Sequence, residues 1–300
     1  MNPDQYLEKV LDQQTFKDDD SRLKDLREER NRIDKILRLY FWDSSPSIRW
    51  AGSMAKGTMI IASYDGDMTC YFPEDEEKAG KTLAEISTSV KEALQDDYSI
   101  EVKASALRVK SKESCDDLHI DVVPGRYVDE SKSDVFLHRT KGDKSRLKTN
   151  LQKHIDHIKD SGFQSAIRLM KLWKVRNGIE SAKTFVLELL VVKLLQGQES
   201  LSLSSQLEHI WTKFRDDANN LLVEDPANSN NDLKPILDEC RNFLSSVASS
   251  TLWQIEHHGW EQVFGELEDE ENQSSNGQNV SALNIAVASV ITPTKPWGGN

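Results

Sequence analysis

The chain has only three cysteines in 300 residues, and none of them belongs to a CxxC pair. Cys70, Cys115 and Cys240 are far apart in sequence. Disulfide-stabilised domains and zinc modules use more cysteines at closer spacing, so neither is indicated. The fold must rest on an ordinary apolar core, and the 37% of apolar residues is enough to build one.

A long apolar run is also absent. The most apolar stretch, 185–195, is interrupted by Glu188 and Lys193. It is shorter than the roughly 20 residues that span a bilayer. The first ten residues, MNPDQYLEKV, lack the basic and apolar segments of a signal sequence. We therefore expect a cytoplasmic protein that does not associate with membranes.

Basic residues are outnumbered, with 38 Lys and Arg against 50 Asp and Glu, which gives a formal net charge of −12. Proteins that bind nucleic-acid duplexes broadly do so by neutralising phosphates with many basic side chains. We therefore expect no strong binding of duplex nucleic acid.

The first half of the chain mixes helix and strand patterns. Apolar residues at helical spacing between Leu23 and Leu37 predict an amphipathic helix over 21–40. A charged, helix-forming segment follows at 74–96. Strands are predicted, from short apolar or alternating runs, at 48–51, 68–72, 98–110 and 118–123.

The second half has helical spacing throughout. Helices are predicted over 146–159, 163–176, 184–195, 204–222 and 233–262, and no strand is predicted after residue 144. Within the first of these helices, His154 and His157 lack a third ligand and are interpreted as a solvated pair. The segment 266–300 is acidic and then polar, and it has little means to contribute to a core.

Three short motifs carry a pattern suited to phosphoryl transfer. Gly52 and Ser53, at the end of a predicted strand, let the backbone and a hydroxyl approach a phosphate closely. Asp65 and Asp67, two residues apart on a strand, would point to one side, and Asp121 on a neighbouring strand could join them. Each motif alone is typical of a turn. Their combination predicts a site for two Mg²⁺ ions, with Mn²⁺ as a substitute.

These motifs also carry a resemblance to a known family. The runs GSMAKGT, DGD and HIDVVPGR resemble, in form and order, those of polymerase-beta-type nucleotidyltransferases that include oligoadenylate synthases, cyclic GMP-AMP synthase and the bacterial CD-NTases. SAIRLMKLWKVRNG and KTFVLELLVVKLL resemble the helical half of that family. The resemblance covers residues 20–265 and is greatest to the CD-NTases. Gly66 departs from it, because the family usually has an apolar residue there.

The resemblance implies an α+β fold with a nucleotidyltransferase core and a helical domain. The implied domains are an N-terminal helical region that packs on the core (1–45), the catalytic core (46–143), a helical domain that closes the nucleotide cleft (144–265) and a flexible tail (266–300). The implied catalytic metal ligands are Asp65, Asp67 and Asp121, and the implied nucleotide-binding residues are Gly52, Ser53, Lys171, Thr184 and Phe185.

The implied function is template-independent joining of ribonucleoside triphosphates, ATP among them, into a cyclic oligonucleotide second messenger of anti-phage defence. Regulatory or effector proteins of a defence operon are the implied partners. Transfer to an RNA 3′ end or to a protein is the alternative, because the same residues would serve any acceptor hydroxyl. A non-enzymatic scaffold is disfavoured, since clustered carboxylates without metal repel one another.

Overall fold

A computed structural model describes residues 1–112, 118–142 and 144–267. Its strands are β1 Ser47–Trp50, β2 Gly66–Phe72, β3 Tyr98–Val102, β4 Leu107–Ser111, β5 Ile120–Tyr127, β6 Val135–His138 and β7 Arg146–Thr149. Its α-helices are α1 Pro3–Gln13, α2 Ser21–Tyr40, α3 Gly52–Lys56, α4 Leu83–Leu94, α5 Leu151–Lys159, α6 Gln164–Arg176, α7 Thr184–Leu195, α8 Leu203–Asp216, α9 Lys234–His258 and α10 Glu261–Phe264. Cys115 and most of the predicted tail, from 268 onward, lie outside the described residues.

The seven strands form one mixed sheet in the order β1-β2-β5-β4-β3. Strand β6 pairs with the carboxyl end of β5, and β7 pairs with β6. Within the described ranges, β2 and β5 are the one parallel pair, and the other pairs are antiparallel. Together with the helices that follow, this sheet confirms the α+β prediction.

Alternation along β2 gives the sheet two different faces. Met68, Cys70 and Phe72 are buried in an apolar core that also includes Leu26 of α2 and Ile86 of α4. The intervening residues of β2 point to the opposite face, because successive side chains of a strand alternate. The carboxylate of Asp67 therefore lies on the face that α2 and α4 leave uncovered.

Helix α2 begins where its sequence predicts. The side chain of Asp20 caps it by accepting a hydrogen bond of 2.9 Å from the backbone N–H of Arg22. Leu26, Ile33 and Leu37 are fully buried on one side of the helix, as the helical spacing predicted. The predicted helix is thus confirmed, and it fixes the covered face of the sheet.

The helices after β7 pack around two buried indoles, Trp173 of α6 and Trp211 of α8. The Trp173 Nε1–H donates to the Thr251 hydroxyl of α9 at 2.8 Å, which satisfies the buried donor. Helix α1 joins this part of the molecule, because Asp4 accepts a hydrogen bond of 2.8 Å from the backbone N–H of Ser204 at the start of α8. No helix in the described ranges combines the length and apolar character needed to cross a bilayer.

Several local predictions were wrong. Residues 146–149 form the edge strand β7 instead of the first turn of a helix. The segment 98–110 is a hairpin of two strands, β3 and β4. Residues 74–82 precede α4 as irregular chain, because the Arg126 guanidinium donates to the backbone carbonyls of Glu76, Gly80 and Lys81. These contacts are long-range, so local spacing did not reveal them.

The predicted helices 204–222 and 233–262 also end earlier than expected. Helix α8 stops at Asp216 and is followed by a short 3₁₀ turn, Ala218–Asn220. Helix α9 stops at His258 because Gly259 has φ of 85°, which no α-helix continues. Helix α1 and strand β6 were not predicted. Residues 1–265 form one compact unit. The proposed division of this unit into three domains therefore stays a prediction.

Candidate active site

Two of the three predicted metal ligands lie side by side on the uncovered face of the sheet. Asp67 of β2 is the direct neighbour of Asp121 of β5 in the parallel pair. Asp65 comes immediately before β2 and is not part of a strand, so the predicted placement of both aspartates on one strand was wrong in this detail. Asp65 is nevertheless close enough to raise the pKa of Asp67.

The Gly52 backbone packs directly against this carboxylate pair. Gly52 has φ of 54°, and a Cβ placed on it would lie 1.7 Å from Oδ2 of Asp67. The backbone N–H of Ala51 donates to the carbonyl of Asp67 at 2.8 Å, which holds the two segments together. Only glycine fits here, for both conformational and steric reasons.

Ser53 follows at the start of α3, and its Oγ is buried without a hydrogen-bond partner among the described residues. An unpaired buried hydroxyl costs free energy, so such groups in native proteins call for an explanation. A phosphate oxygen next to Gly52 would supply the missing partner. The structure therefore places Gly52 in contact with Asp67 and Ser53 next to it in the chain, and their role in phosphate binding stays a prediction.

Gly66, the residue that departs from the family pattern, is explained by packing. A Cβ on Gly66 would lie 2.9 Å from Cγ1 of Ile120 and 3.0 Å from Cδ1 of Leu26. Both neighbours belong to the apolar core between the sheet and α2. A larger residue would have to displace them, so glycine lets α2 approach the sheet closely at the start of β2.

The carboxylates repel one another. The pKa of Asp67 rises to about 7, mainly because of burial and further because of the nearby charges of Asp65 and Asp121, while Lys56 and Lys171 oppose the rise. The negative charge at this position is therefore not balanced by the protein alone. A bound cation would relieve the repulsion.

Arg108 of β4, which sequence reasoning did not identify, contacts the third carboxylate. Its Nε and Nη2 donate to the two carboxylate oxygens of Asp121 at 2.9 and 3.0 Å. Arg108 is the direct neighbour of Asp121 across the antiparallel β4–β5 pair. In the sequence, Arg108 lies between Leu107 and Val109 in an alternating strand, and this pattern does not indicate that it pairs with Asp121.

The residue types at this site suit metal ions, but the side chains are not arranged around a common ion in this structure. Three carboxylates are the donors that Mg²⁺ prefers. In the described ranges, however, no three acidic, histidine or cysteine side chains are placed to hold an ion together. The bidentate pairing with Arg108 engages both oxygens of Asp121. Arg108 would therefore compete with a cation for the carboxylate of Asp121.

A buried network of paired charges lies behind the Gly52–Ser53 segment. Glu188 of α7 accepts from Lys56 Nζ at 2.7 Å and from the Thr58 hydroxyl at 2.8 Å. Lys171 of α6 donates to the backbone carbonyl of Thr58 at 2.8 Å. All four residues are buried. The network therefore fastens the segment after α3 to helices α6 and α7.

This network changes the expectation for Lys171, since its ammonium is engaged by Thr58 in this structure. Burial lowers the pKa of Lys171, while Glu188 and Asp65 act in the opposite direction. Glu188 was visible in the sequence as the charge that interrupts an apolar helix. Such a residue indicates a buried partner, but its identity could not be read from spacing.

The structure places the other predicted nucleotide-binding residues beside α5. Thr184 is the first residue of α7, and the Phe185 ring lies 5.5 Å from Lys56 Nζ. The ring of His154 meets Phe185 edge to face at 5.0 Å. Nε2 of His154 is 3.4 Å from Oδ1 of the buried Asp225, so the interpretation of His154 as solvated was wrong. The nucleotide roles of Thr184 and Phe185 stay predictions.

No protein-family model and no curated protein sequence matches the chain. Solved structures do match. Escherichia coli MS115-1 CdnC with ATP is 20% identical, with a TM-score of 0.63 over 88% of this chain and 98% of that one. Elizabethkingia meningoseptica CdnE, a cyclic dinucleotide synthase with GTP and Apcpp, is 15% identical, with a TM-score of 0.62 over 86% and 100%.

Vibrio cholerae DncV, a cyclic AMP-GMP synthase described as a prokaryotic cGAS homolog, is 17% identical, with a TM-score of 0.59 over 75% of this chain and 70% of that one. The E. coli CdnC also has a structure in complex with HORMA-deltaN. The resemblance to bacterial CD-NTases is thus confirmed in the fold. The chain has the α+β fold of these proteins, a mixed sheet with flanking helices followed by carboxyl-terminal helices.

Proposed function

We propose that the chain is a template-independent nucleotidyltransferase that joins ribonucleoside triphosphates into a cyclic oligonucleotide second messenger. The observation that carries this proposal is the contact of Gly52 with Asp67, beside Asp121 on the adjacent parallel strand. A phosphate-binding segment and a carboxylate pair in direct contact can hold a triphosphate where its α-phosphorus reacts.

The Gly52–Ser53 segment would hold the donor triphosphate. Ser53 Oγ is buried and free of protein partners within the described ranges, so it can donate to a phosphate oxygen. The Lys56–Glu188 pair would keep this segment in place against α7. Lys171, Thr184 and Phe185 are proposed to contact the donor nucleotide from the helical side.

Asp65, Asp67 and Asp121 would hold two Mg²⁺ ions, or Mn²⁺ in their place. The pKa of Asp67 is raised by burial and by the charges of Asp65 and Asp121, and such ions would relieve this repulsion. When bound, they supply neutralisation of phosphate charge and activation of the acceptor hydroxyl. Arg108 would compete with these ions for Asp121.

The proposed reaction forms one bond and breaks one. The oxygen of an acceptor hydroxyl bonds to the α-phosphorus, and the bond from that phosphorus to the oxygen bridging to the β-phosphate breaks. Pyrophosphate leaves with the electron pair, and Asp121 accepts the hydroxyl proton. A second transfer of the same kind within the linear product closes the ring and releases a second pyrophosphate.

The structural relatives support this choice of substrate. CdnC is solved with ATP and CdnE with GTP and Apcpp, and DncV is a cyclic AMP-GMP synthase. We infer that ribonucleoside triphosphates, with ATP among them, are the substrates here. A role in bacterial anti-phage defence, with partner proteins from the same operon, belongs to the same proposal.

The test is incubation of the purified protein with Mg²⁺ or Mn²⁺ and each radiolabelled ribonucleoside triphosphate, alone and mixed. Products are then treated with phosphatase and separated. The inactive variant is Asp65→Asn/Asp67→Asn. The matched control is Asp18→Asn/Asp19→Asn, which removes the same charge from an exposed segment.

We expect small phosphatase-resistant products from the wild type and the control, and none from the inactive variant. Label that remains attached to added RNA or to protein would instead identify a macromolecular acceptor. Equal product from the inactive variant would contradict the assignment of Asp65 and Asp67.

A further inference from the structure

A cavity of about 390 Å³ opens on the same face of the sheet, toward the carboxyl ends of β2 and β5. It lies between Tyr71 and Tyr127 of the sheet and the first turn of α5. Tyr71 follows Asp67 by four residues on one strand, which at about 3.3 Å per residue separates their Cα atoms by about 13 Å. None of the proposed catalytic or nucleotide-binding residues lines this cavity.

Three cationic side chains line the cavity. Arg49, Lys132 and Lys153 all line it, and none of them forms an ion pair within the part of the chain that the structure describes. The one carboxylate among the lining residues, Asp156, accepts a hydrogen bond from the Gln152 side chain. A local excess of positive charge in a chain of net charge −12 favours an anionic ligand.

The first turn of α5 adds backbone donors to the same wall. The Asn150 side chain caps this nine-residue helix by accepting from the N–H of Lys153 at 3.0 Å. The first intrahelical hydrogen bond runs from the N–H of His154 to the Asn150 carbonyl, so the N–H groups of Leu151 and Gln152 have no intrahelical acceptor and remain available to a ligand. Both residues line the cavity. Backbone donors of this kind, next to Lys153, form a suitable site for a phosphate group.

Two buried phenols form the opposite wall. Tyr71 and Tyr127 are only 5% and 4% exposed, and their rings meet edge to face with centroids 5.8 Å apart. Both tyrosines line the cavity. Burial raises the pKa of Tyr71, so its hydroxyl remains a donor. Buried tyrosine hydroxyls usually find a partner, and a ligand in the cavity could provide it.

We propose that this cavity binds a phosphorylated nucleoside. Its phosphate lies between Lys153 and the first turn of α5, and its sugar and base lie against Tyr71 and Tyr127. The volume falls within the range of about 300–1,000 Å³ that small-molecule sites occupy. This is a second site beside the proposed catalytic one, and it does not depend on the catalytic proposal.

The test is calorimetric titration of the full chain with AMP, GMP, CMP, UMP and inorganic phosphate in buffer with EDTA. Chelation removes the divalent ions that nucleotide binding at the carboxylates requires. Lys153→Glu is the main variant, since an acidic residue in the first turn of α5 suits the helix and preserves the fold. Lys24→Glu on α2 is the matched control, because Lys24 is exposed and remote in the fold.

We expect at least one nucleoside monophosphate to bind the wild type, Lys24→Glu and Asp65→Asn/Asp67→Asn with equal affinity. Lys153→Glu should weaken binding by at least about tenfold, the usual effect of losing a hydrogen bond to a charged group. Tyr71→Phe, which keeps the ring, should weaken it by about three- to tenfold. Unchanged melting temperatures would show that both variants fold.

Three results would overturn the proposal. The first is absence of binding by all four monophosphates. The second is binding that survives Lys153→Glu and is lost in Asp65→Asn/Asp67→Asn, which would place the ligand at the carboxylates. The third is equal affinity for inorganic phosphate with no effect of Tyr71→Phe, which would show that the nucleoside contributes nothing.

Discussion

Two clusters of charged residues flank the Gly52–Ser53 segment. One consists of carboxylates that repel one another, and the other consists of oppositely charged groups that are paired. In front of it, Asp65, Asp67 and Asp121 repel one another, and the pKa of Asp67 rises to about 7. Behind it, Glu188 is paired with Lys56 and Thr58 at 2.7 and 2.8 Å. Asp67 forms no ion pair within the described residues and keeps a raised pKa, whereas Glu188 is fully paired.

This difference in charge pairing indicates that one cluster is suited to binding a ligand and the other to holding structural elements together. Buried charges that are fully paired hold elements in one arrangement, and removal of a single partner leaves an uncompensated charge. Buried like charges destabilise the folded protein unless something binds between them. The front cluster therefore has the character of a binding site, and the back cluster positions the phosphate-binding segment. Substitutions in the two clusters should act on different quantities.

Asp67→Asn should have the largest effect, and it should act on activity. Loss of one proposed metal ligand is expected to lower nucleotidyl transfer by at least about 10³-fold, since such ions contribute several kcal/mol to the transition state. In metal-free buffer the melting temperature should stay equal or rise, because a repelling charge is removed. A marked fall in melting temperature would show that Asp67 is structural.

Glu188→Gln should act on stability instead. The change leaves the Lys56 ammonium buried without a counter-charge, which typically costs about 3–5 kcal/mol. For a chain of this size the melting temperature should fall by about 10 °C. Glu239→Gln, an exposed position on α9, is the control and should have no effect. Adding Lys56→Met to Glu188→Gln should recover part of the loss, and a further fall would contradict the pairing.

The pH dependence of stability should identify the front cluster. The pKa of Asp67 rises from its ordinary value of 3.8 to about 7 in the folded protein, so folding favours the protonated carboxyl. Without metal, this group should lower the free energy of unfolding as pH increases from about 4 to about 7, by at most about 1.4 kcal/mol per pH unit.

Denaturant unfolding in EDTA at several pH values measures this slope. Asp67→Asn should have a flatter profile than the wild type across the same range. Addition of Mg²⁺ at pH 7.5 should stabilise the wild type and leave Asp67→Asn nearly unchanged. Identical profiles for the two proteins would mean that the pKa of Asp67 is not raised in the folded state.

Arg108→Gln should have the smallest effect, and its readout is metal affinity. The guanidinium pairs with both oxygens of Asp121, so it competes with an incoming cation for this carboxylate. Partly exposed ion pairs contribute about 0.2–1 kcal/mol, so Mn²⁺ should bind about two- to fivefold more tightly to the variant. Lys103→Gln, which removes a nearby charge paired with Glu101, is the control. Weaker Mn²⁺ binding by Arg108→Gln would show that Arg108 supports the site.

The sequence by itself determined the features that depend on short stretches of chain. Helix α2 follows from the spacing of Leu26, Ile33 and Leu37, and the motifs at strand ends singled out Gly52 and Asp67, which are in contact in the structure. These predictions succeeded because local periodicity and turn chemistry are encoded within a few residues. The same motifs led to the fold that the structural matches confirm.

Only the tertiary structure decided which distant side chains meet. Strand pairing brought Arg108 to Asp121, and helix packing brought Glu188 to Lys56 across 132 positions of sequence. The cavity between Tyr71 and α5 likewise arises from elements that are far apart in the chain. The sequence around a polar side chain does not indicate which distant residue it will contact, because that contact depends on how the sheet and the helices pack.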